Sequence, residues 1–206
     1  MENRVLLSLD MSTTCTGFAV FDMDSRALIF RGVLKPSTKG GVAKMSYPKQ
    51  QLTKMIDLSK QILDLIAVHK PTAIVIEEIA GSKNRLGQKT LDGLHFIVAY
   101  FLELNGWLSL VNYYDVTGAD GWRTHLKLRL SEADKLHNKE AVKLNKKLAP
   151  SQRIPKVGPK HLACRYANAH YGVSLNCDTA ETDGDIADAI CIGAAFLSFR
   201  CARTLL

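Results

Sequence analysis

The chain has 206 residues, of which 47% are hydrophobic and 23% charged, as is ordinary for a globular protein, and this length predicts one domain, 1–206, with a single core. No apolar run approaches the roughly 18–20 residues of a membrane span, and the first residues lead straight into a strand-like run, so we expect no membrane association and a cytoplasmic location. The formal net charge of +7 is distributed unevenly along the chain.

The first half of the chain predicts a mixed sheet. Three short strands joined by tight turns predict an antiparallel meander, and an alternation of helix and strand follows it. The predicted strands are residues 4–10, 15–22, 27–34, 72–79 and 107–116. Apolar periodicity predicts one helix from about residue 52 to the residues before Pro71 and a second at 91–105, with 81–90 as a polar connection. This order indicates an α/β fold with helices on the faces of the sheet.

The second half is predicted to be helical. A short element at about 121–130 precedes a Lys-rich helix at 135–149, a Pro/Gly connector and two final helices at 160–171 and 183–199. Residues 128–157 have too few apolar side chains for a core of their own, and we treat them as a basic insertion in the single domain.

Four acids stand where a carboxylate is hard to explain as structure. Asp10 closes the apolar run 5–9, and Glu77 closes the run 73–76, so both are predicted at strand ends. Asp185 and Asp188 stand three apart at the start of the last helix and project from one face. Carboxylates from two strands and a helix are what a hard cation such as Mg2+ needs. The alternatives are a turn residue at Asp10 and a helix-dipole charge pattern at the aspartate pair.

Two neighbours of these acids have simpler interpretations. Asp183 could substitute for one of the aspartate pair or be the N-cap of the last helix, and we expect the cap. Gly17 lies where a strand normally prefers a side chain, which indicates a bulge or the close approach of another backbone.

The positive charge belongs to residues 123–165, which we call the basic segment. It contains 12 Lys/Arg and three Asp/Glu, a balance of +9, and the rest of the chain has a balance of −2. Such a segment is typical of phosphate neutralisation in nucleic-acid binding, and a solvated basic loop is the alternative. The candidate DNA contacts here and after the fourth strand are Lys83, Arg85, Trp122, Arg123, Lys143, Lys146 and Lys147. Core packing is an equal alternative for Trp122.

The five cysteines show no Cys-x-x-Cys pair and no zinc-ligand spacing. We therefore expect free, mostly buried thiols in a reducing compartment.

Residues 9–20, 74–77, 160–163 and 185–190 together resemble the RuvC-type Holliday junction resolvases of the ribonuclease H-like superfamily. The resemblance implies a five-stranded mixed sheet whose first three strands are antiparallel, flanked by helices. It also implies a DNA endonuclease that cuts four-way and other branched junctions, leaves 5′-phosphates and works as a homodimer. Asp10, Glu77, Asp185 and Asp188 would hold two Mg2+ ions, for which Mn2+ would substitute, and Lys160 would lie beside the scissile phosphate.

Two departures from the resolvase pattern stand out. Met11 and Ser12 occupy a turn where the family usually has Gly or Pro. The basic insertion at 128–157 is absent from the compact bacterial enzymes of the family, which favours a phage variant. Three other functions remain open. The first is a ribonuclease H-like nuclease acting on RNA or RNA-DNA hybrids, and the second is a non-catalytic nucleic-acid-binding module. The third is an actin/hexokinase-type ATPase fold, whose phosphate turn resembles residues 10–17 but which needs two such halves.

Overall fold

The computed structural model describes residues 4–37, 41–78, 85–114, 121–178 and 182–204. Within these ranges the strands are β1 (Val5–Asp10), β2 (Thr16–Asp22), β3 (Leu28–Leu34), β4 (Ala73–Glu77) and β5 (Val111–Tyr114). They form one sheet in the order β3-β2-β1-β4-β5. β1 pairs antiparallel with β2 and parallel with β4, and β2 pairs antiparallel with β3. The predicted fold class, a mixed sheet whose first three strands are antiparallel, is confirmed.

The central strand β1 separates two apolar layers. Because side chains alternate along a strand, Leu6 packs into one layer and Leu7 into the other, and neither is accessible to solvent. The layer beneath Leu6 contains the last two helices of the chain, and the layer beneath Leu7 contains the first two. Burial on both faces explains why the run 5–9 is continuously apolar except for Ser8.

The helices within the described ranges are α1 (Lys49–His69), α2 (Arg85–Leu104), α3 (Trp122–His125), α4 (Glu132–Asn145), α5 (Pro159–Tyr171) and α6 (Asp183–Thr204). None of them has the length and hydropathy of a membrane-spanning helix.

Several predicted boundaries are wrong, and the Lys-rich helix predicted at 135–149 is Glu132–Asn145. α2 begins at Arg85, inside the predicted polar connection 81–90. Polar side chains stabilise these early turns: the Gln88 amide donates to Asp92 over 2.8 Å, and the Thr90 hydroxyl donates to the Gly87 carbonyl over 2.8 Å. Such contacts give no apolar periodicity to detect. Strand five begins later than predicted, because residues 108–110 form a 3-10 turn.

α6 lies directly against β1 and β2. The buried Ser8 hydroxyl donates to the Ala189 carbonyl over 2.7 Å, so the one polar side chain of the run 5–9 is used to fix the helix. A Cβ on Gly17 would lie 2.0 Å from the Asp185 carbonyl oxygen. The predicted close approach of another backbone at Gly17 is therefore confirmed, and only glycine fits at this position.

Cys164 on α5 and Cys177 form a disulfide across a separation of 13 residues, so the expectation of free thiols is wrong for this pair. The chain turns back after α5, and Asn168 holds the turn through two hydrogen bonds with the backbone of Leu175, of 2.8 and 2.9 Å. The pairing thus depends on a tertiary turn. Cys15 and Cys191 have free thiols.

Candidate active site

Asp10 and Glu77 lie side by side at one edge of the sheet. Each is the last residue of its strand, as predicted. β1 and β4 run parallel, and their register pairs Leu9 with Ile76. Because parallel strands end at the same edge, the next residues on both strands bring their carboxylates together.

α6 brings the other two acids to the same edge. Gly17 is the register partner of Asp10 on β2, and it is also the residue on which the backbone of Asp185 packs. This contact places the first turn of α6 over the end of β1. Asp188 follows one turn later, and its side chain is only 5% exposed, compared with 15% for Asp185.

The electrostatics of Asp10 reflect this convergence. Burial raises the pKa of Asp10 well above its usual range. The negative charges of Asp188, Glu77 and Asp185 raise this pKa further, in that order, and the ammonium group of Lys160 lowers it. All four predicted acids and the predicted lysine are thus close enough to interact.

Asp188 is perturbed in the same direction. Burial is the largest cause that raises the pKa of Asp188, the charge of Glu77 adds to it, and the Arg123 and Lys160 cations oppose it, so that the pKa is about 6 overall. A carboxylate that is both buried and close to another acid is costly to ionise. Such perturbation is typical of functional sites.

Two cations neutralise part of this negative charge. Arg123 Nη2 donates to Asp188 Oδ2 over 3.2 Å, and Arg123 Nη1 lies 3.7 Å from Glu77 Oε1. Lys160 Nζ donates to Asp185 Oδ1. Burial is the largest single cause and lowers the pKa of Lys160, but the hydrogen bond and charge of Asp185, together with the charges of Asp188 and Asp10, outweigh it, so that the pKa is raised overall. The predicted placement of Lys160 at the acids is consistent with these contacts.

Trp122 does not face solvent. It is fully buried, and its indole N–H donates to Glu77 Oε1 over 2.7 Å. The prediction of a DNA contact for Trp122 is therefore wrong, because its ring packs in the core layer beneath Leu6. Arg123 lies with its guanidinium carbon 4.0 Å from the centre of the Trp122 ring and is directed towards the acids. The sequence signal, a Trp-Arg pair in a basic segment, suits both a surface and an inward position.

The donor set suits a hard divalent cation, because it consists of carboxylates. Asp188 Oδ1 is buried and has no hydrogen-bond partner in the described part of the chain, and an unsatisfied buried acceptor is costly. As the side chains stand, no three His, Cys, Asp or Glu residues among those described form a group that could hold a metal ion. Arg123 and Lys160 contact three of the four acids. The acids fit a cation if these two side chains release them.

The other candidate DNA contacts have mixed outcomes. Three of them are exposed at the end of α4 and just beyond it: Lys143, Lys146 and Lys147. Lys83 lies outside the described residues. Arg85 starts α2, and its side chain is likewise outside what the structure describes. Phosphate binding by these residues remains a prediction.

Two residues next to the acids have roles that the sequence did not indicate. Burial and, next in size, a hydrogen bond with the Asp185 side chain together raise the pKa of the Cys15 thiol to about 12. Asp183 is the first residue of α6 rather than its cap, and its carboxylate accepts from the Asn176 backbone over 2.6 Å. The preceding loop, not the helix, therefore uses the Asp183 side chain.

No protein-family model and no curated protein matches the chain. Among solved structures, Thermus thermophilus RuvC in complex with a Holliday junction substrate aligns with a TM-score of 0.53 and 14% identity, over 96% of each chain. A second T. thermophilus RuvC structure gives the same values. The yeast mitochondrial Holliday junction resolvase aligns with a TM-score of 0.49 and 14% identity, over 95% of this chain and 80% of that chain. The two T. thermophilus RuvC alignments show that the chain has the RuvC-type, ribonuclease H-like fold that its four sequence segments predict.

Proposed function

We propose that this chain is a Mg2+-dependent endonuclease that cuts DNA at four-way and other branched junctions. The observation that supports this most strongly is the convergence of Asp10, Glu77, Asp185 and Asp188 at the ends of two strands and one helix, where three of them raise the pKa of the fourth. Carboxylates grouped in this way are what two-metal cleavage of a phosphodiester requires.

The four acids would hold two Mg2+ ions, or Mn2+ in their place, which supply an activated water and offset charge on the leaving 3′ oxygen. The products would then carry 5′-phosphates. Lys160 has a half-exposed side chain that contacts Asp185 on the solvent side of the acid cluster. Its ammonium group would offset the negative charge that develops on a phosphate bound there.

The substrate proposal has two supports. The first is the shared fold with T. thermophilus RuvC, which is known in complex with a Holliday junction substrate. The second is the group of exposed lysines in the basic segment, Lys143, Lys146 and Lys147, which would neutralise DNA phosphates without recognising a base sequence.

Two nicks at a symmetric four-way junction call for a twofold dimer with both sites on one side. α2 has an apolar stripe that fits such an interface. Phe96, Tyr100 and Leu104 are 75%, 62% and 62% exposed, and their spacing of four places them on one face. Leu94 on the same helix is buried in the core and does not belong to this stripe. A partner copy would cover this stripe.

Cleavage assays test the function directly. The full chain is incubated with labelled four-way, three-way, duplex, single-stranded and RNA-DNA hybrid substrates, with Mg2+ or with EDTA. We expect paired nicks in the branched DNA with Mg2+ and none with EDTA. Preferential cutting of the hybrid would instead favour a ribonuclease H-like activity.

Substitution of the acids tests the site. Asp10→Asn and Glu77→Gln should reduce nicking by orders of magnitude, because each removes a metal ligand, while junction binding in EDTA stays nearly unchanged. Asp64→Asn, at an exposed position on α1, is the matched control and should cut normally. Full activity in either acid variant would reject the assignment.

A further inference from the structure

Trp122 and Arg123 are consecutive residues that contact two of the acids from different elements. Trp122 is the first residue of α3, and its indole can only donate a hydrogen bond. It donates that bond to Glu77 Oε1, the last residue of β4, over 2.7 Å. Because the ring is fully buried, the position of this donor is set by the core and not by solvent. One oxygen of Glu77 is therefore held in a fixed direction.

Arg123 is held among the same acids by longer contacts. Its guanidinium lies against the Trp122 ring at 4.0 Å, reaches Asp188 Oδ2 at 3.2 Å and lies 3.7 Å from Glu77 Oε1. Its Nε is buried and has no partner in the described part of the chain. The side chain is 30% exposed, so it has a path to solvent. Arg123 thus neutralises two acids without using all of its donors.

The charges at the site set up a competition. When all are ionised, the four acids have four negative charges, and Arg123 with Lys160 supplies two positive ones. A divalent cation that binds Asp188 and Glu77 meets the Arg123 guanidinium on the same oxygens. Two cations at such short range repel each other strongly in a partly buried site. The ion and Arg123 therefore cannot both occupy this position.

We infer that Trp122 and Arg123 are a pair of positioning residues with opposite effects on cation binding. The Trp122 indole fixes Glu77 as a ligand, whereas Arg123 is an internal counter-cation that the divalent ion has to displace from Asp188 and Glu77. This inference rests on the proposed function in that it takes these acids as the cation ligands. It adds that the chain stabilises its own acid cluster when no metal is bound, at a cost in metal affinity.

Calorimetric titration of the full chain with Mg2+ and with Mn2+, without DNA, tests the two roles. Arg123→Gln should tighten cation binding roughly tenfold, because the competing charge is removed. Trp122→Phe should weaken binding by roughly tenfold or more, because a ligand loses the partner that orients it. Arg31→Gln, on the exposed edge strand β3, and Trp107→Phe, in the opposite core layer, are matched controls and should bind as the wild type does. Equal or weaker binding in Arg123→Gln, or equal or tighter binding in Trp122→Phe, would overturn the inference.

Tryptophan fluorescence gives a second readout that does not depend on the fold of Trp122→Phe. The chain has two tryptophans, so Trp107→Phe leaves Trp122 as the single emitter. Mg2+ binding at Glu77 should then change the emission of Trp122, and adding Glu77→Gln should abolish the change. Emission that does not respond to a bound ion would reject the placement of Trp122.

The outcomes separate this inference from the proposed function. Junction cutting by the wild type with the opposite order of affinities rejects only the inference. The expected order of affinities without any cutting of branched DNA rejects only the proposed substrate. A wild type that binds neither Mg2+ nor Mn2+ rejects both.

Discussion

Asp188→Asn should abolish cutting and yet stabilise the metal-free chain. Asp188 is more buried than Asp185, with a side chain 5% exposed compared with 15%, and its pKa is raised to about 6, mainly by burial. At neutral pH the folded chain therefore contains a buried, ionised carboxylate, although burial favours the protonated form of this group. The amide has no charge, and its carbonyl oxygen can still accept from Arg123.

The size of the effect follows from the pKa. An aspartate in an unfolded chain has a pKa of about 3.9. A carboxyl group whose pKa is higher in the folded state stabilises the fold fully below the unfolded value, and this contribution is lost as the pH rises through the folded value. The shift to about 6 is roughly two units, so the wild type loses about 3 kcal/mol from this group between pH values of about 4 and 7. Asp188→Asn does not lose this stabilisation, because its side chain does not ionise. It should therefore be more stable than the wild type by about 1–3 kcal/mol at neutral pH, and the lower value applies if its amide N–H groups stay unpaired.

Urea denaturation in EDTA, near neutral pH and again near the unfolded pKa of about 3.9, measures this difference. The stabilisation should be present at the higher pH and nearly absent at the lower one. Mg2+ should stabilise the wild type by mass action and the variant less. Asp64→Asn controls for the loss of an exposed charge. A variant that is less stable than the wild type at neutral pH, or a stabilisation that does not depend on pH, would refute the reasoning.

Three further predictions concern other parts of the molecule. Gly17→Ala should destabilise the chain by about 3 kcal/mol and reduce cutting, because backbone atoms of α6 occupy the space of the new methyl group. Gly93→Ala on α2, where the nearest atom is Met55 Sδ at 3.4 Å, is the control. Equal denaturation midpoints for Gly17→Ala and Gly93→Ala would contradict the prediction. Tyr100→Glu should shift the chain from dimer to monomer in sedimentation experiments, and an unchanged mass would reject the α2 stripe as the interface. A triple alanine variant of three exposed lysines should weaken junction binding and lower the slope of log affinity against log salt by up to about one unit per lost phosphate contact, whereas an unchanged slope would make them solvated surface. The three are Lys143, Lys146 and Lys147.

The positions of Asp10 and Glu77 could be predicted from the sequence because the ends of buried strands are visible in the apolar pattern. Asp10 and Glu77 each follow a run of aliphatic residues, and a strand that is apolar on both faces has to lie inside the sheet. Two such strands, each ended by an acid, bring the acids together if they run parallel. The close backbone contact at Gly17 could be predicted for a similar reason, since a glycine inside a strand is unfavourable unless another backbone needs the space.

The partners of these acids could not be placed in this way. Whether Trp122 faces the core or the solvent depends on how α3 packs against α6, which no local pattern encodes. The direction of Arg123 follows from that packing, because the ring beneath it turns the guanidinium towards Asp188. The same holds for Cys164 and Cys177, whose contact depends on the turn that Asn168 closes.

α4 and the elements that bear the acids are held in place by different contacts, so mutations in one part need not affect the other. α4 is tied to its surroundings by polar contacts: Asn138 exchanges two hydrogen bonds with the backbone of Val157, and Asp134 forms an ion pair with Arg165 on α5. β1, β4 and α6, by contrast, are fixed to each other through sheet register, Ser8 and the Gly17 contact. We therefore expect that insertions or changes of charge within residues 128–157 would leave the backbone that bears the acids in place. Selection on what the surface binds can act on one part of the chain while selection on the reaction acts on another.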